Sequence, residues 1–241
     1  MKLLAFDTST ERMSVAVQRP ADRGDGARQA PRLWQHSAPG GALSSAQLIP
    51  AIERLMAQAG LQFGQLDAIA FGAGPGSFTG LRTACSVAQG LAFGASVPVL
   101  PVDTLLAMAE EARWQHASAL ASWQAIALLD ARMDEMYASR YCFSSGQWMQ
   151  LGGCGLIRPE ALAGVADCPL IGNVFTAYGA RLPADQTLRI EALPSASAML
   201  RLAPALLAGG AARPAEQALP FYMRDKVAKT TLERAAEKAA L

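Results

Sequence analysis

The stretch from Ala68 to Phe93 constrains this chain more than any other. Ala68 to Ala73 is an unbroken apolar run of strand length, and Leu81 to Phe93 carries apolar residues at helical spacing up to Gly94. Between them, Gly74-Pro75-Gly76-Ser77-Phe78-Thr79-Gly80 places three glycines and a proline in seven positions. Such a segment extends neither a strand nor a helix, so it must turn. A buried strand handed to a helix through a tight turn points to layered α/β structure.

The rest of the first half fits that reading. Leu3 to Phe6 and Met13 to Val17 read as strands joined by the polar turn Asp7-Thr8-Ser9-Thr10-Glu11-Arg12, and a third strand is expected near Leu33 to His36. The connection from Pro20 to Pro31, rich in Gly, Asp, Arg and Pro, is expected to be exposed and mobile. Apolar residues from Leu48 to Ala59 recur at helical spacing, predicting a helix over Ser45 to Ala59 stopped by Gly60; Val97 to Leu100 reads as a strand. In the second half the pattern predicts a helix from Thr104 to Ala112 capped by Asp103 and a strand from Ala125 to Leu129. A hairpin follows around Arg132 to Phe143, then a helix start at Arg158-Pro159-Glu160, a short strand from Pro169 to Ile171, and a helix from Ser197 to Leu207 closed by Gly209-Gly210.

Composition narrows the classes. With 51% hydrophobic and 17% charged residues in 241, the chain can fill its own core. Cys85, Cys142, Cys154 and Cys168 are widely separated and form no CxxC pair, which favours reduced thiols over a disulfide framework or zinc knuckle. The opening Met1-Lys2-Leu3-Leu4-Ala5-Phe6 meets Asp7 at once, too short an apolar run for a signal peptide or membrane span, so a cytoplasmic protein is expected. A net charge of +1 lacks the basic excess of a protein that grips an RNA backbone alone.

The β-β-β-α-β-α-β order resembles that of the acetate kinase, sugar kinase, Hsp70 and actin superfamily. More specifically, Gly72-Ala73-Gly74-Pro75-Gly76-Ser77-Phe78-Thr79-Gly80-Leu81-Arg82 followed by Ala88-Gln89-Gly90-Leu91-Ala92 resembles the G-x-G-P-G-S-F-T-G-[LV]-R…A-Q-G-L-A segment of the TsaB family. Further matches lie at Leu4 to Thr10, at Asp130-Ala131-Arg132 with Glu135 and Tyr137, and at Pro220-Phe221-Tyr222-Met223-Arg224. The resemblance implies a two-lobed α/β fold with duplicated β-β-β-α-β-α units and a degenerate second lobe. Residues 1–104 would form the first lobe and 105–225 the second, with a helix over 196–209 that could pack back on the first, and a tail over 226–241. It also implies a non-catalytic subunit that pairs with a catalytic paralogue, TsaD, and works with the ATPase TsaE to place threonylcarbamoyl on the adenosine beside the anticodon of tRNA. Alone it would be a homodimer, with weak or indirect tRNA contact and no membrane.

In that superfamily the turn bearing Asp7, Thr8, Ser9 and Thr10 cradles phosphates, with Asp organising hydrated Mg²⁺. The same residue types also bond their own backbone in simple hairpin turns. The second reading is favoured here because no second acidic phosphate loop stands out in the later half. Gly74, Gly76, Ser77 and Thr79 precede a helix and could bind an anion, yet the Gly-Lys-Ser/Thr ending of a P-loop is missing. A tight turn with Ser77 or Thr79 as the helix cap is the plainer role, and both could hold at once.

Gly80, Ala84 and Ala88 fall at four-residue spacing, so another helix could approach closely there. Packing on the chain's own sheet is the alternative. Through the family resemblance, the expected partner interface is Leu48, Ile52, Gly80, Thr83, Ala84, Val87, Ala88 and Leu91, and Ala84→Trp or Ala88→Arg should abolish co-elution with the partner while leaving circular dichroism native. The chain has only His36 and His116, 80 positions apart, whereas the paralogue carries an H-x-x-x-H metal pair; no catalytic or metal residue is assigned. The family's histidine near the first long helix is replaced by Ser44-Ser45-Ala46. Asp130, Arg132 and Glu135 read as a hairpin turn closed by an ion pair rather than an acid–base group, and Arg224, Lys226 and Lys229 are candidate tRNA contacts.

No intrinsic cofactor is expected, with ATP or ADP possible at the partner boundary. The first alternative is a nucleotide-hydrolysing or kinase-like enzyme using the Asp7 and Gly74 to Gly80 loops, which requires ATP turnover by the isolated chain. A peptidase is the second, and neither histidine has a recognisable nucleophile beside it.

Overall fold

The computed structural model describes residues 1–21, 30–163, 168–183 and 188–224. The exposed connection expected at Pro20 to Pro31 lies, for residues 22–29, outside the described residues, as do Lys226, Lys229 and the rest of the tail. Two mixed five-stranded sheets form the frame. The first takes β1 (Leu3–Asp7), β2 (Arg12–Arg19), β3 (Arg32–Pro39), β4 (Ala68–Gly74) and β5 (Val99–Asp103) in the order β3-β2-β1-β4-β5. Strands β1 to β3 are antiparallel, while β4 and β5 run parallel to β1 after crossovers through α1 (Ser44–Ala59) and α2 (Phe78–Ala95).

The second sheet repeats this order. Its strands are β6 (Ser122–Arg132), β7 (Glu135–Ser144), β8 (Gln147–Ile157), β9 (Leu170–Gly172) and β10 (Arg189–Glu191), arranged β8-β7-β6-β9-β10. The helix expected at Arg158-Pro159-Glu160 is, among the described residues, a 3-10 turn over Pro159–Ala161, and the described part of the crossover from β9 to β10 holds the four-residue α4 (Phe175–Tyr178). Sequence reading missed β8 because Gly152, Gly153 and Gly155 interrupt its alternation, and missed β10 because three residues give no period.

Helices bury the sheets' faces. Leu48, Ile52, Leu55 and Met56 of α1 and Ala84, Cys85, Ala88 and Ala92 of α2 pack on Leu4, Phe6, Val15, Val17, Ile69 and Phe71. The opposite face, Leu3, Ala5, Ala16, Ala68 and Ala70, is covered by Met199, Leu200 and Ala203 of α5 (Ala196–Ala208). On the second sheet, α3 (Thr104–His116) lays Leu105, Met108, Ala109 and Ala112 against Ala125, Ala127, Leu129 and Tyr141. Asp103 caps α3 as expected, accepting from the Leu105 and Leu106 N–H groups at 2.8 and 3.2 Å. Gly94 does not stop α2: the helix runs on to Ala95 and ends at Ser96, left-handed at φ 55°.

The two sheets are joined where α3 meets α5. Glu110, 3% exposed, accepts from Arg113 Nε at 3.0 Å, Arg201 Nε at 2.8 Å and Trp148 Nε1 at 3.0 Å. Glu111 accepts from Arg201 at 2.7 Å and from the Ser195 hydroxyl at 2.6 Å. A buried carboxylate with this many donors keeps its charge satisfied, and losing it would leave the buried Arg113 without a carboxylate.

Candidate functional site

The turn after β1 and the glycine loop after β4 press against each other backbone to backbone. Ser77 N–H donates to the Ser9 carbonyl at 2.7 Å, and the Thr8 hydroxyl donates to the Gly80 carbonyl at 2.6 Å. A Cβ on Gly76 would lie 2.8 Å from the Ser9 carbonyl oxygen, and one on Gly80 would lie 1.9 Å from that of Thr8. Close backbone approach is therefore what Gly76 and Gly80 provide. The Ser77 N–H that could have met a phosphate is committed to Ser9. Ser77 sits at the helix start without a side-chain cap bond, its hydroxyl 3.4 Å from that of Thr79, so the expected cap is not formed.

Asp7 is fully buried and turned away from solvent. Its Oδ1 accepts from the Ser9 N–H at 3.0 Å and the Ser9 hydroxyl at 2.8 Å. Oδ2 lies against β4, where a Cβ on Gly72 would be 1.9 Å away, and has no hydrogen-bond partner among the described residues. Burial pushes the Asp7 carboxyl up to about 6, against the lowering effect of the two Ser9 bonds.

Beside this joint lies a cleft of about 410 Å³ between the two sheets. Ser9, Thr10 and Ser77 form one wall, and the β6–β7 turn from Asp130 to Met133 the other. This turn occupies in the second sheet the place the β1–β2 turn occupies in the first, and it brings Asp130. Asp130 there is engaged by its own hairpin, as the expected turn closed by an ion pair requires. Asp130 Oδ1 accepts from the Arg132 N–H at 2.8 Å and the Tyr178 hydroxyl at 3.0 Å, Oδ2 pairs with Arg132 NH1 at 3.0 Å, and Asn173 Oδ1 accepts the Asp130 N–H at 2.9 Å. Arg132, Met133 and Asp134 are successively left-handed, at φ 61°, 56° and 62°. For residues with a Cβ each such position costs about 1–2 kcal/mol, so surrounding contacts must hold the turn.

Some of those contacts come from the C-terminal segment, whose Tyr222 and Arg224 also line the cleft. Phe221 N–H donates to the Ala73 carbonyl at 2.7 Å, and Arg82 Nε donates to the Tyr222 hydroxyl at 3.0 Å. Arg224 bonds Glu135, the Arg132 carbonyl at 3.3 Å and Met133 Sδ at 2.9 Å. Sequence reading singled out Pro220 to Arg224 and Arg82 as motif residues but had no means to place them together. It missed Asn173, for which no local signal exists. Among the described residues no three His, Cys, Asp or Glu side chains converge as metal ligands, and no helix is long and apolar enough to cross a membrane.

The interface expected at α1 and α2 needs correction. Leu48, Ile52, Ala84 and Ala88 are 0% exposed and Gly80 is buried, all spent on the chain's own sheet. Ala84, Ala88 and Ala92 are small where α2 lies close on the sheet, and Gly80 is small because the Thr8 carbonyl meets it. Thr83, Val87 and Leu91 remain partly exposed. Outward-facing apolar groups are instead Leu43, Ile49, Phe78 and Phe93, the last 79% exposed.

Fold and site together define a class: a mixed α/β protein of two five-stranded sheets with a cleft between them. The family model described as TsaD, tRNA N6-adenosine threonylcarbamoyltransferase, matches residues 36–176. The tRNA threonylcarbamoyladenosine biosynthesis protein TsaB of Haemophilus influenzae is 33% identical over 94% of this chain and 95% of that protein. The protein of the same name from Escherichia coli is 31% identical over 95% and 96%. The solved structure of YeaZ from Pseudomonas aeruginosa superposes with a TM-score of 0.78 at 36% identity, covering 92% of this chain and 99% of that one. The chain belongs to the TsaB family.

Proposed function

We propose that this chain is a non-catalytic scaffold in the biosynthesis of threonylcarbamoyladenosine in tRNA, seating the catalytic paralogue TsaD on its α1–α2 side and working with the ATPase TsaE in the cytoplasm. The fold is a member of the actin-like superfamily with a second lobe whose crossover helices have shrunk. The observation that carries the reading is where apolar surface remains. Of fourteen exposed large apolar side chains among the described residues, seven sit on the α1 entry, α1, α2 and the C-terminal segment whose Tyr222 rests on Phe78 of α2: Leu43, Ile49, Phe78, Phe93, Leu219, Phe221 and Tyr222. Apolar patches of this kind mark protein–protein contact. In this reading the same face forms a homodimer when no paralogue is present, ATP or ADP binds at the boundary with the partner, and contact with tRNA is weak or indirect.

Mixing the chain with its organism's TsaD paralogue and TsaE should give a defined complex by light scattering, and tRNA modification should stop when this chain is omitted. Ile49→Asp and Phe93→Asp together should abolish complex formation with native circular dichroism. Modification that continues without the chain would refute the reading. Against the kinase-like alternative stands the Gly74 to Gly80 loop, whose Ser77 N–H is already bonded to the Ser9 carbonyl.

A further inference from the structure

The C-terminal segment takes an unusual path for so few residues. Arg213 pairs with Val99 at the edge of β5, and Gln89 of α2 donates to the Glu216 carbonyl at 3.5 Å. Phe221 then lies so close over the glycine loop that a Cβ on Gly74 would be 2.6 Å from its carbonyl oxygen. Tyr222 is pinned to the start of α2: its ring centroid is 5.4 Å from that of Phe78, whose face also carries the Arg82 guanidinium at 3.8 Å. Only two residues later, Arg224 is inside the other half of the molecule, holding Glu135, the Arg132 carbonyl and Met133 Sδ.

Two residues in extended chain span about 7 Å. Tyr222 and Arg224 therefore cannot move independently: a shift of the Phe78–Arg82–Tyr222 cluster is delivered to the β6–β7 turn almost undiminished. That turn is suited to respond. Its three left-handed residues are bonded within the turn by Asp130 and from outside by Arg224 at one end and the Asp134–Arg181 ion pair, 2.8 Å, at the other. Among the described residues Arg224 Nε is buried without a hydrogen-bond partner.

We propose that Phe221 to Arg224 is a tie through which a protein partner seated on the outer face of α2 sets the conformation of the β6–β7 turn, and with it the width of the cleft between the two sheets. This rests on the scaffold reading, because the partner is the one that reading names. The segment thus belongs to the docking surface at Tyr222 and to the cleft wall at Arg224. By reciprocity, a turn that responds to the partner must alter the partner's affinity by the same factor.

The test is hydrogen exchange of backbone amides from 130 to 137 in the full chain, free and bound to the paralogue, with the dissociation constant measured alongside. Wild type should change its exchange in this peptide by roughly fivefold or more on binding. Arg224→Ala should exchange fast in both states, lose the partner response, and bind the partner roughly fivefold more weakly or worse. Glu135→Gln, which keeps every backbone contact and removes the far charge, should show the same trend if Arg224→Ala proves poorly folded. A wild-type complex that forms with unchanged exchange at 130 to 137 overturns the tie and leaves the scaffold reading standing, as does a full response retained in folded Arg224→Ala. Failure of wild type to form any complex overturns both.

Discussion

Gly80→Ala tests the claim that the two loops of the first half are locked together rather than poised around a ligand. The new Cβ would sit 1.9 Å from the Thr8 carbonyl oxygen and 2.9 Å from its carbon, and backbone cannot swing aside as a side-chain tip can. Forcing the turn and the loop apart costs about 1–3 kcal/mol as overpacking. It also strains the Thr8 hydroxyl bond to Gly80 and the Ser77 N–H bond to Ser9, at 2.6 and 2.7 Å, each contributing about 0.5–1.5 kcal/mol. Alanine in the first turn of α2 returns about 1 kcal/mol of helix propensity. The net is a destabilisation of about 1–5 kcal/mol, or a fall in Tm on the order of 10 °C for a domain of this size. Gly90→Ala is the matched control, since no atom lies within 4 Å of its added Cβ; it should be neutral or stabilising by up to about 1 kcal/mol. Thermal melts of both variants decide the matter. A Gly80→Ala protein that melts with or above wild type would show that the loops separate freely, and the locked-joint argument would fail.

Asp7 makes stability depend on pH. Because its folded pKa is raised to about 6 by burial, the folded chain holds this proton more tightly than the unfolded chain. The contribution is full below about pH 4 and is lost as pH rises through about 6, on the order of 3 kcal/mol in total. Asp7→Asn keeps an acceptor for Ser9, so its urea midpoint should vary less across that window; a slope equal to wild type would contradict the burial argument. Glu110→Ala should cost about 3–5 kcal/mol, because buried Arg113 would lose its carboxylate, while the half-buried Arg201 would keep only Glu111. Urea titration would measure it, and a loss under about 1 kcal/mol would mean that the α3–α5 junction is held by apolar contacts instead.

Much of the first half was legible because its signals are local. The Asp7 to Arg12 turn between two apolar runs, the helical period from Leu48 to Ala59 and the Asp103 cap each act within a few residues, and the structure forms them near the expected bounds. The second half was harder to read. Among the described residues its crossovers show a 3-10 turn and a four-residue helix, too short to carry a period, and glycines break the alternation of β8. The small-residue stripe on α2 was visible as a pattern, but a pattern of close approach does not say which neighbour approaches; the neighbour is the chain's own β4.

What the sequence determined by itself is the set of conformations its backbone can take locally: a turn where glycine and proline leave no alternative, helices where apolar residues recur each turn, and a family signature spread along nearly the whole chain. Only the tertiary structure decided what those pieces do to one another. It commits the glycines to contact with Thr8 and Ser9, aligns Asp130 opposite the Asp7 turn, and carries Arg224 across to a turn 89 positions away in sequence at Glu135. Such contacts depend on where whole sheets and helices come to rest, and that is fixed by the summed burial of many side chains rather than by any residue's near neighbours.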